Sequence, residues 1–504
     1  MPDVDIPITD GFYVSDALPI SAQRCINFYP NFPETDSVTQ ANLFNTPGLS
    51  EAIDLTNLRD ICRGAHTLRD KPYVIIGQKL HRIDFDGTTF TSALIGTIEG
   101  TDRVIIDDNG DQLAIVSPDA DKTYIYDVDS ASLAEVTDVN FDGPASHVVY
   151  IDGFFVFAKK DGTKFFNSPL KDGRGLPGGV AYDALDFSQA EADPDDIAAL
   201  GKSRSQLYVF GSETTQIFRN TGRSPAPFIG LSGGVVDVGC KSPQTIQRVS
   251  GGLIFVGSTF NETPSVWLLI GGNKTKISTP ALDNELSKLT EDEVSDLFSW
   301  YYAESGHFFY GMSFPDTTYV YDLVTKKWHE RQSVEKDGSS LTQYRVAAMT
   351  AAYNRVMVGD LQNGQVGFID EDVYLDYGFL SRRIVTTKAF DNGGHPIFLD
   401  QVEAVVESGI GLTEDMTVRT GSTSLGIPIT AKGGSDPQIT MSWSDDGGRT
   451  FKGLLSRSMG KIGEYIRRPI WNRLGRFPRS RILRFEVASP TKVTLVKVEA
   501  RING

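Results

Sequence analysis

A short apolar run, a turn rich in Gly, Ser and Thr, and a second β-rich run recur through most of this 504-residue chain. The clearest copies lie between Lys202 and Thr279. Gln206-Leu-Tyr-Val-Phe210 leads through Gly211-Ser212 to Thr215-Gln-Ile-Phe218, and Gly252-Leu-Ile-Phe-Val256 leads through Gly257-Ser258 to Ser265-Val-Trp-Leu-Leu269. Runs of roughly 4–8 β-branched and aromatic residues bounded by turn formers read as strands joined in hairpins. The units open near Tyr73, Gln112, His147, Gln206, Gly252, His307 and Arg355, about 47 residues apart on average. That period lies inside the ~40–50 residues of a propeller blade. Thr123-Tyr-Ile-Tyr-Asp-Val128 and Thr318-Tyr-Val-Tyr-Asp-Leu323 are near copies at the same place in two units. The pattern predicts a mainly β chain with a six- or seven-bladed β-propeller over 61–375. Stacked β-sandwiches, the alternative, would lack the regular spacing.

The flanks differ. Residues 1–60 carry Pro2, Pro7, Pro19, Pro30, Pro33 and Pro47 and few periodic runs. Such a segment has too little apolar surface to fold alone and is expected to be an arm lying on another part of the chain. Past residue 376, Leu399–Glu407, Met416–Thr420, Gln438–Ser444, Arg481–Val487 and Lys492–Val498 read as strands of a separate β-sandwich-like domain, 376–504. The arm is expected to pack on this platform. Thr290-Glu-Asp-Glu293 is a capping box, and Val294, Leu297, Phe298 and Tyr301 follow at helical spacing, predicting a helical insertion near 281–303. A weaker helix is expected to open at Asp193-Pro-Asp-Asp196.

Visible catalytic chemistry is lacking. The histidines, at 66, 81, 147, 307, 329 and 395, never pair at metal-ligand spacing, and no phosphate-binding Gly-rich signature is present. Asp107-Asp-Asn-Gly-Asp111 lacks the EF-hand spacing and distal Glu, so it reads as a solvated turn. Ser444-Asp-Asp446-Gly-Gly448-Arg-Thr-Phe451 fits the Asp-box of sialidase-like propellers, but it occurs once, outside the propeller, and reads as a hairpin turn. No enzyme, cofactor or metal is expected; a carbohydrate-active propeller enzyme and a protein-interaction scaffold are the alternatives. Cys25, Cys62 and Cys240 are odd in number and far apart, which suggests reduced thiols from a cytoplasm. The acidic N-terminus has no signal-peptide core, and no apolar run approaches the ~18 residues of a membrane span, so membrane insertion is not expected.

Charge is distributed unevenly. Between Arg449 and Arg484 eleven basic residues face one acid, Glu464, a net of +10 in a chain of −17, which leaves −27 on the remainder. The overall charge argues against general nucleic-acid binding, while the block implies a face that meets an acidic surface or a phosphate backbone. Its centre mixes Arg467, Arg468, Arg473, Arg476, Arg479 and Arg481 with Trp471, and Arg suits bidentate pairing and aromatic stacking. Some of these arginines are expected to pair within the chain, and the rest to dock a subunit or, less favoured, DNA.

Several stretches, in order, carry a family resemblance. They are Ile26-Asn-Phe-Tyr-Pro30, Pro47-Gly48-Leu49, Arg63-Gly64, Gly77-Gln-Lys-Leu80, Gly201-Lys-Ser-Arg204 with Leu207 and Phe210-Gly-Ser212, Gly239-Cys240-Lys-Ser-Pro243, Pro264-Ser-Val266 with Ile270-Gly-Gly272, and Trp471, Arg473 and Gly475-Arg476. Together they resemble the tail hub, or nozzle, proteins of short-tailed bacteriophages, the packaged DNA stabilization family. The resemblance implies a propeller with a platform domain and a structural virion role in the phage tail, with synthesis in the host bacterial cytoplasm. It implies a hexameric ring below the head-to-tail adaptor that prolongs the channel for double-stranded DNA and holds the packaged genome in. Tail fibres or tailspikes, and in some phages a plug or needle, are the further partners. Arg467, Arg468, Trp471, Arg473, Arg476, Arg479 and Arg481 are then the candidate subunit or adaptor docking residues.

Overall fold

A computed structural model describes residues 3–35, 39–55, 60–175, 179–190, 195–335, 340–391, 395–420, 427–477 and 479–503. The chain forms two compact units, one of Ala52–Tyr302 with Val346–Phe368 and one of Met1–Glu51, Ala303–Arg345 and Ile369–Gly504.

The first unit is built of four-stranded antiparallel meanders. Cys62–Leu68, Lys71–Ile76, Lys79–Phe85 and Phe90–Thr97 form one, and four more open with Ile105–Asp108, Ala145–Ile151, Ala199–Ser203 and Gly239–Val249. Two further first strands, Phe298–Glu304 and Val346–Ala352, bring the repeats among the described residues to seven, the upper of the two expected blade counts. The near-copied hexapeptides fall on Lys122–Asp127 here and on Thr318–Asp322 of the second unit, each third in its meander. Apolar faces of successive sheets pack together. Val149, Val156 and Phe165 of one meet Leu207, Val209 and Phe218 of the next, with Phe165 and Phe218 edge-to-face at 4.8 Å. The first hairpin turns need φ > 0 at both central residues, and the chain supplies it at Arg69-Asp70, Asp152-Gly153, Arg204-Ser205 and Tyr353-Asn354. The long interval after His147 holds a loop anchored by buried Tyr182, which donates its hydroxyl to the Gly173 carbonyl and its backbone N–H to Asp138.

The helical insertion is shorter than expected. Helices span Pro280–Ser287 and Glu291–Ser295, the second closed by the predicted capping box between Thr290 and Glu293. The apolar spacing then misleads: Phe298 and Tyr301 belong to strand Phe298–Glu304, not to a helix, and the Leu297 carbonyl accepts from the Ser242 hydroxyl at 2.7 Å. Phe298-Ser-Trp-Tyr-Tyr302 has strong β propensity, and sheet packing overrides a spacing that also fits a helix. Asp193 and the following Pro194 lie outside the described residues, and residues 195–198 are irregular. Among the described residues no helix is long and apolar enough to cross a membrane.

The second unit knits both ends of the chain together. One sheet runs Ile470–Phe477, Ile397–Val406, Thr494–Asn503, Asn42–Asn45, Phe28–Asn31, with Asp3–Ile6 also paired to Thr494–Asn503. Another carries Lys327–Val334, Cys25–Ile26, Arg383–Thr386, Ser480–Val487, Gln438–Ser444 and Lys452–Ser458 in that order. Ile6, Phe28, Leu43, Val402, Trp471, Phe485 and Val498 share one buried core. Asn27, buried at φ 54°, explains why the Ile26-Asn-Phe-Tyr-Pro30 stretch carries an Asn. Its amide donates to the Gln332 and Arg382 carbonyls at 2.9 and 2.7 Å and accepts from the Gln332 N–H at 3.0 Å. An Asn tolerates this left-handed backbone where most side chains do not.

Two predictions follow from these buried polar groups. Asn27→Ala leaves two carbonyls and an N–H unsatisfied and is expected to cost about 2–3 kcal/mol in denaturant unfolding. Burial pushes the Asp376 carboxyl up to about 6, against the lowering effects of the Ser333 hydroxyl bond (2.7 Å) and of Arg345, Arg383 and Arg331. The folded chain then holds a proton on Asp376 that the unfolded chain releases near the ordinary carboxylate value. Stability from this group therefore falls as pH rises from about 4 to about 6, by about 3 kcal/mol. Asp376→Asn is expected to flatten that slope in unfolding curves taken across this pH window.

A candidate docking edge and a central cavity

The basic block forms one edge of the sandwich sheets. Lys452–Ser458 ends one sheet and Ile470–Phe477 ends the other, with residues 459–469 connecting them. The Asp-box is the turn that leads in. Asp446 accepts from the Arg449 and Thr450 N–H groups, the Thr450 hydroxyl and Ser444, which together hold its carboxyl well below the usual range.

The structure sorts the seven candidate residues. Arg481 is buried; it forks onto Asp445, donates to the Leu474 carbonyl at 2.7 Å and stacks on Phe477 at 4.7 Å. Burial alone would raise the Asp445 carboxyl, but Arg481 and Lys452 hold it below its ordinary value. Arg468 forks onto Glu403. Trp471 is 0% exposed in the core, with its indole N–H on the Leu455 carbonyl at 2.8 Å, so it presents no face to a partner. That corrects its place among the docking residues: a bulge at Arg473 (φ 61°) and Gly475 (φ 77°) turns Trp471, Leu474 and Phe477 all inward. Arg467, Arg473, Arg476 and Arg479 stay exposed, with no acidic partner among the described residues. Arg467 reaches only the Ser458 hydroxyl at 3.2 Å, and Arg476 lies 6.0 Å from the Phe398 ring.

Sequence reasoning missed the apolar side of this edge. Ile466 is 93% exposed, Tyr465 and Leu454 73%, and Ile462 45%. Scattered exposed apolar residues are ordinary, but four on one basic edge match the apolar centre and charged rim of a protein interface. A visible signal was Lys461-Ile-Gly-Glu-Tyr-Ile-Arg467, apolar residues in a Gly-containing stretch with no strand period.

The first unit surrounds a partly open cavity of about 400 Å³, lined by the first strands of the seven repeats among the described residues. Arg103 spans it, donating to the Ala347 carbonyl at 2.8 Å and lying 3.3 Å over the Phe298 ring. His66, Asp107 and Asp108 have ligand atoms close enough to hold a metal. Yet Asp107 already takes Lys202 at 2.5 Å and the Tyr150 N–H at 2.6 Å, while Asp108 takes His66 at 2.7 Å and the Gly110 N–H at 2.8 Å. These carboxylates are satisfied by protein donors, and a cation would have to displace Lys202.

Residues 4–374 match the family model described as Bacteriophage P22 Gp10, beta-propeller, and residues 382–503 match Bacteriophage P22 Gp10, beta-sandwich. The chain belongs to the bacteriophage P22 Gp10 family. A curated relative, "Tail hub protein gp10" of Salmonella phage P22, is 21% identical over 471 residues, 90% of each chain. The Gp10-family propeller also has loose likenesses among solved structures. A streptogramin B lyase shows 12% identity and TM-score 0.42 over 64% of this chain and 98% of its own. The extracellular domain of a one-component system protein from B. thetaiotaomicron shows 11% identity and TM-score 0.40 over 78% and 48%. Likenesses this loose do not bear on activity.

In this Gp10-family sandwich the two classes of arginine should separate by stability. Arg481→Ala strands a partly buried Asp445 and is expected to cost about 3 kcal/mol, whereas Arg473→Ala, Arg476→Ala and Arg479→Ala should each fall within about 0.5 kcal/mol of the parent. Urea unfolding of the four single variants measures this directly.

Proposed function

We propose that the chain is the tail hub of a short-tailed phage, a structural virion protein and not an enzyme. Six copies form a ring below the head-to-tail adaptor, prolong the channel for double-stranded DNA, hold the packaged genome and seat fibres or tailspikes. The observation that carries this reading is the Gp10-family match across both propeller and sandwich, with a relative named as a tail hub protein matching over 90% of either chain. The propeller's own cavity supports a channel made between subunits: about 400 Å³, crossed by Arg103, it admits no duplex, whose major groove alone is ~12 Å wide. The exposed edge of Arg467, Arg473, Arg476 and Arg479 around Ile466 and Tyr465 is the docking face for a neighbouring subunit or the adaptor. A phosphate backbone would reward the arginines but not the apolar centre.

DNA-filled heads that carry their adaptor but lack this protein provide the test. Adding the purified chain is expected to stop leakage of nuclease-sensitive genome, with six copies sedimenting per head. Reversing Arg473, Arg476 and Arg479 to Glu together should abolish protection while leaving the unfolding curve in place. A chain that neither binds heads nor protects the genome would overturn the reading.

A further inference from the structure

The central cavity inverts the charge of the chain around it. Arg63, Arg103, Lys202 and Arg248 line it against one carboxylate, Asp107, in a protein of net charge −17. Two of these cations are spent. Arg63 donates to the Asp102, Gly77 and Ile98 carbonyls and the Ser117 hydroxyl, and lies 3.7 Å from Asp119. Lys202 is neutralised by Asp107 and donates to the Tyr150 carbonyl at 2.9 Å. Arg103 and Arg248 have no carboxylate partner among the described residues.

Arg103 stands out physically. One carbonyl and the face of Phe298 hold its guanidinium, which leaves most of its N–H donors without a protein acceptor. Arg103 is half-buried, and desolvation pushes its pKa down to about 10. His147, 7% exposed, lines the same cavity, and its Nδ1 has no hydrogen-bond partner. Burial holds this imidazole neutral, with its pKa lowered to about 4, so it can share a proton with an anion without adding charge. The free N–H donors of Arg103 border the cavity, and the planar fork of Arg fits the two oxygens of a phosphate or carboxylate.

We propose that the central cavity binds a small oxyanion, a phosphate or carboxylate group, on the Arg103 guanidinium, with Arg248 and His147 completing the wall. The anion serves as a counter-ion to the strut that Arg103 makes between the second repeat and the strands of Phe298 and Ala347. Its occupancy stabilises the propeller and is independent of the hub reading, since neither the docking edge nor any partner takes part.

Full-length chain in a chloride-free, low-salt buffer, titrated with sodium phosphate and separately with sodium acetate, tests this. Calorimetry and thermal unfolding are followed, with sodium chloride at matched ionic strength as the control. Expected are saturable one-site binding of phosphate or acetate and a rise in Tm above the chloride control. Arg103→Met should abolish both, and Arg248→Ala, at an exposed position, should weaken affinity about fivefold or more with the fold intact. If Arg103→Met does not fold, Arg248→Ala decides. A Tm that follows ionic strength alone, no saturable heat with either anion, or undiminished binding by Arg248→Ala overturns the proposal.

Discussion

The second unit depends on strand pairing between the two ends of the chain. Asp3–Ile6 lies antiparallel to Val498–Arg501, Leu43 and Phe44 pair with Leu495 and Thr494, and Cys25 and Ile26 pair with Val385 and Ile384. Ile6, Phe28 and Leu43 enter the same core as Trp471, Phe485 and Val498, so neither end can bury its apolar face without the other. Contacts this distant in sequence are entropically slow to form, although closure cost grows only logarithmically with loop length. The sandwich is therefore completed only after the last strand has been synthesised.

The same knitting explains the hydrogen bonding around Asn27. A proline-rich arm would be mobile if it were tied by apolar contact alone. Here one amide satisfies three backbone groups from two other segments, the strand Lys327–Val334 and Arg382, and fixes where the arm enters. In the first unit Arg103 plays a comparable part by joining the wall of one repeat to those of two others. Both are single polar side chains whose bonds cross elements that are remote in sequence.

Much of this was legible in the sequence, for identifiable reasons. Short apolar runs and Gly- or Ser-rich turns made the repeats readable; six of the seven openings mark the second strand of a meander and one, His147, the first, because the second strands carry the longest continuous apolar runs. The capping box was readable because it is local, whereas the end of its helix was not, because Leu297, Phe298 and Tyr301 fit helical spacing equally well. The paired and free arginines could not be told apart, since Asp445 and Glu403 reach Arg481 and Arg468 only through the fold. Trp471 was misread because the bulge at Arg473 replaces strict alternation with a three-residue spacing of buried positions. Arg103 gave no signal at all: its partners Phe298 and Ala347 lie roughly two hundred residues and more downstream in sequence.

The central claim is that this chain is a ring-forming subunit of a phage tail, with DNA passing between propellers and not through them. An image reconstruction of purified virions at the neck of the tail tests it most directly. The account predicts six copies around the axial channel, each propeller closed at its centre, with the edge carrying Arg473, Arg476 and Ile466 covered by a neighbouring subunit or the adaptor. Virions that lack the chain, or a single propeller threaded by DNA, would contradict it.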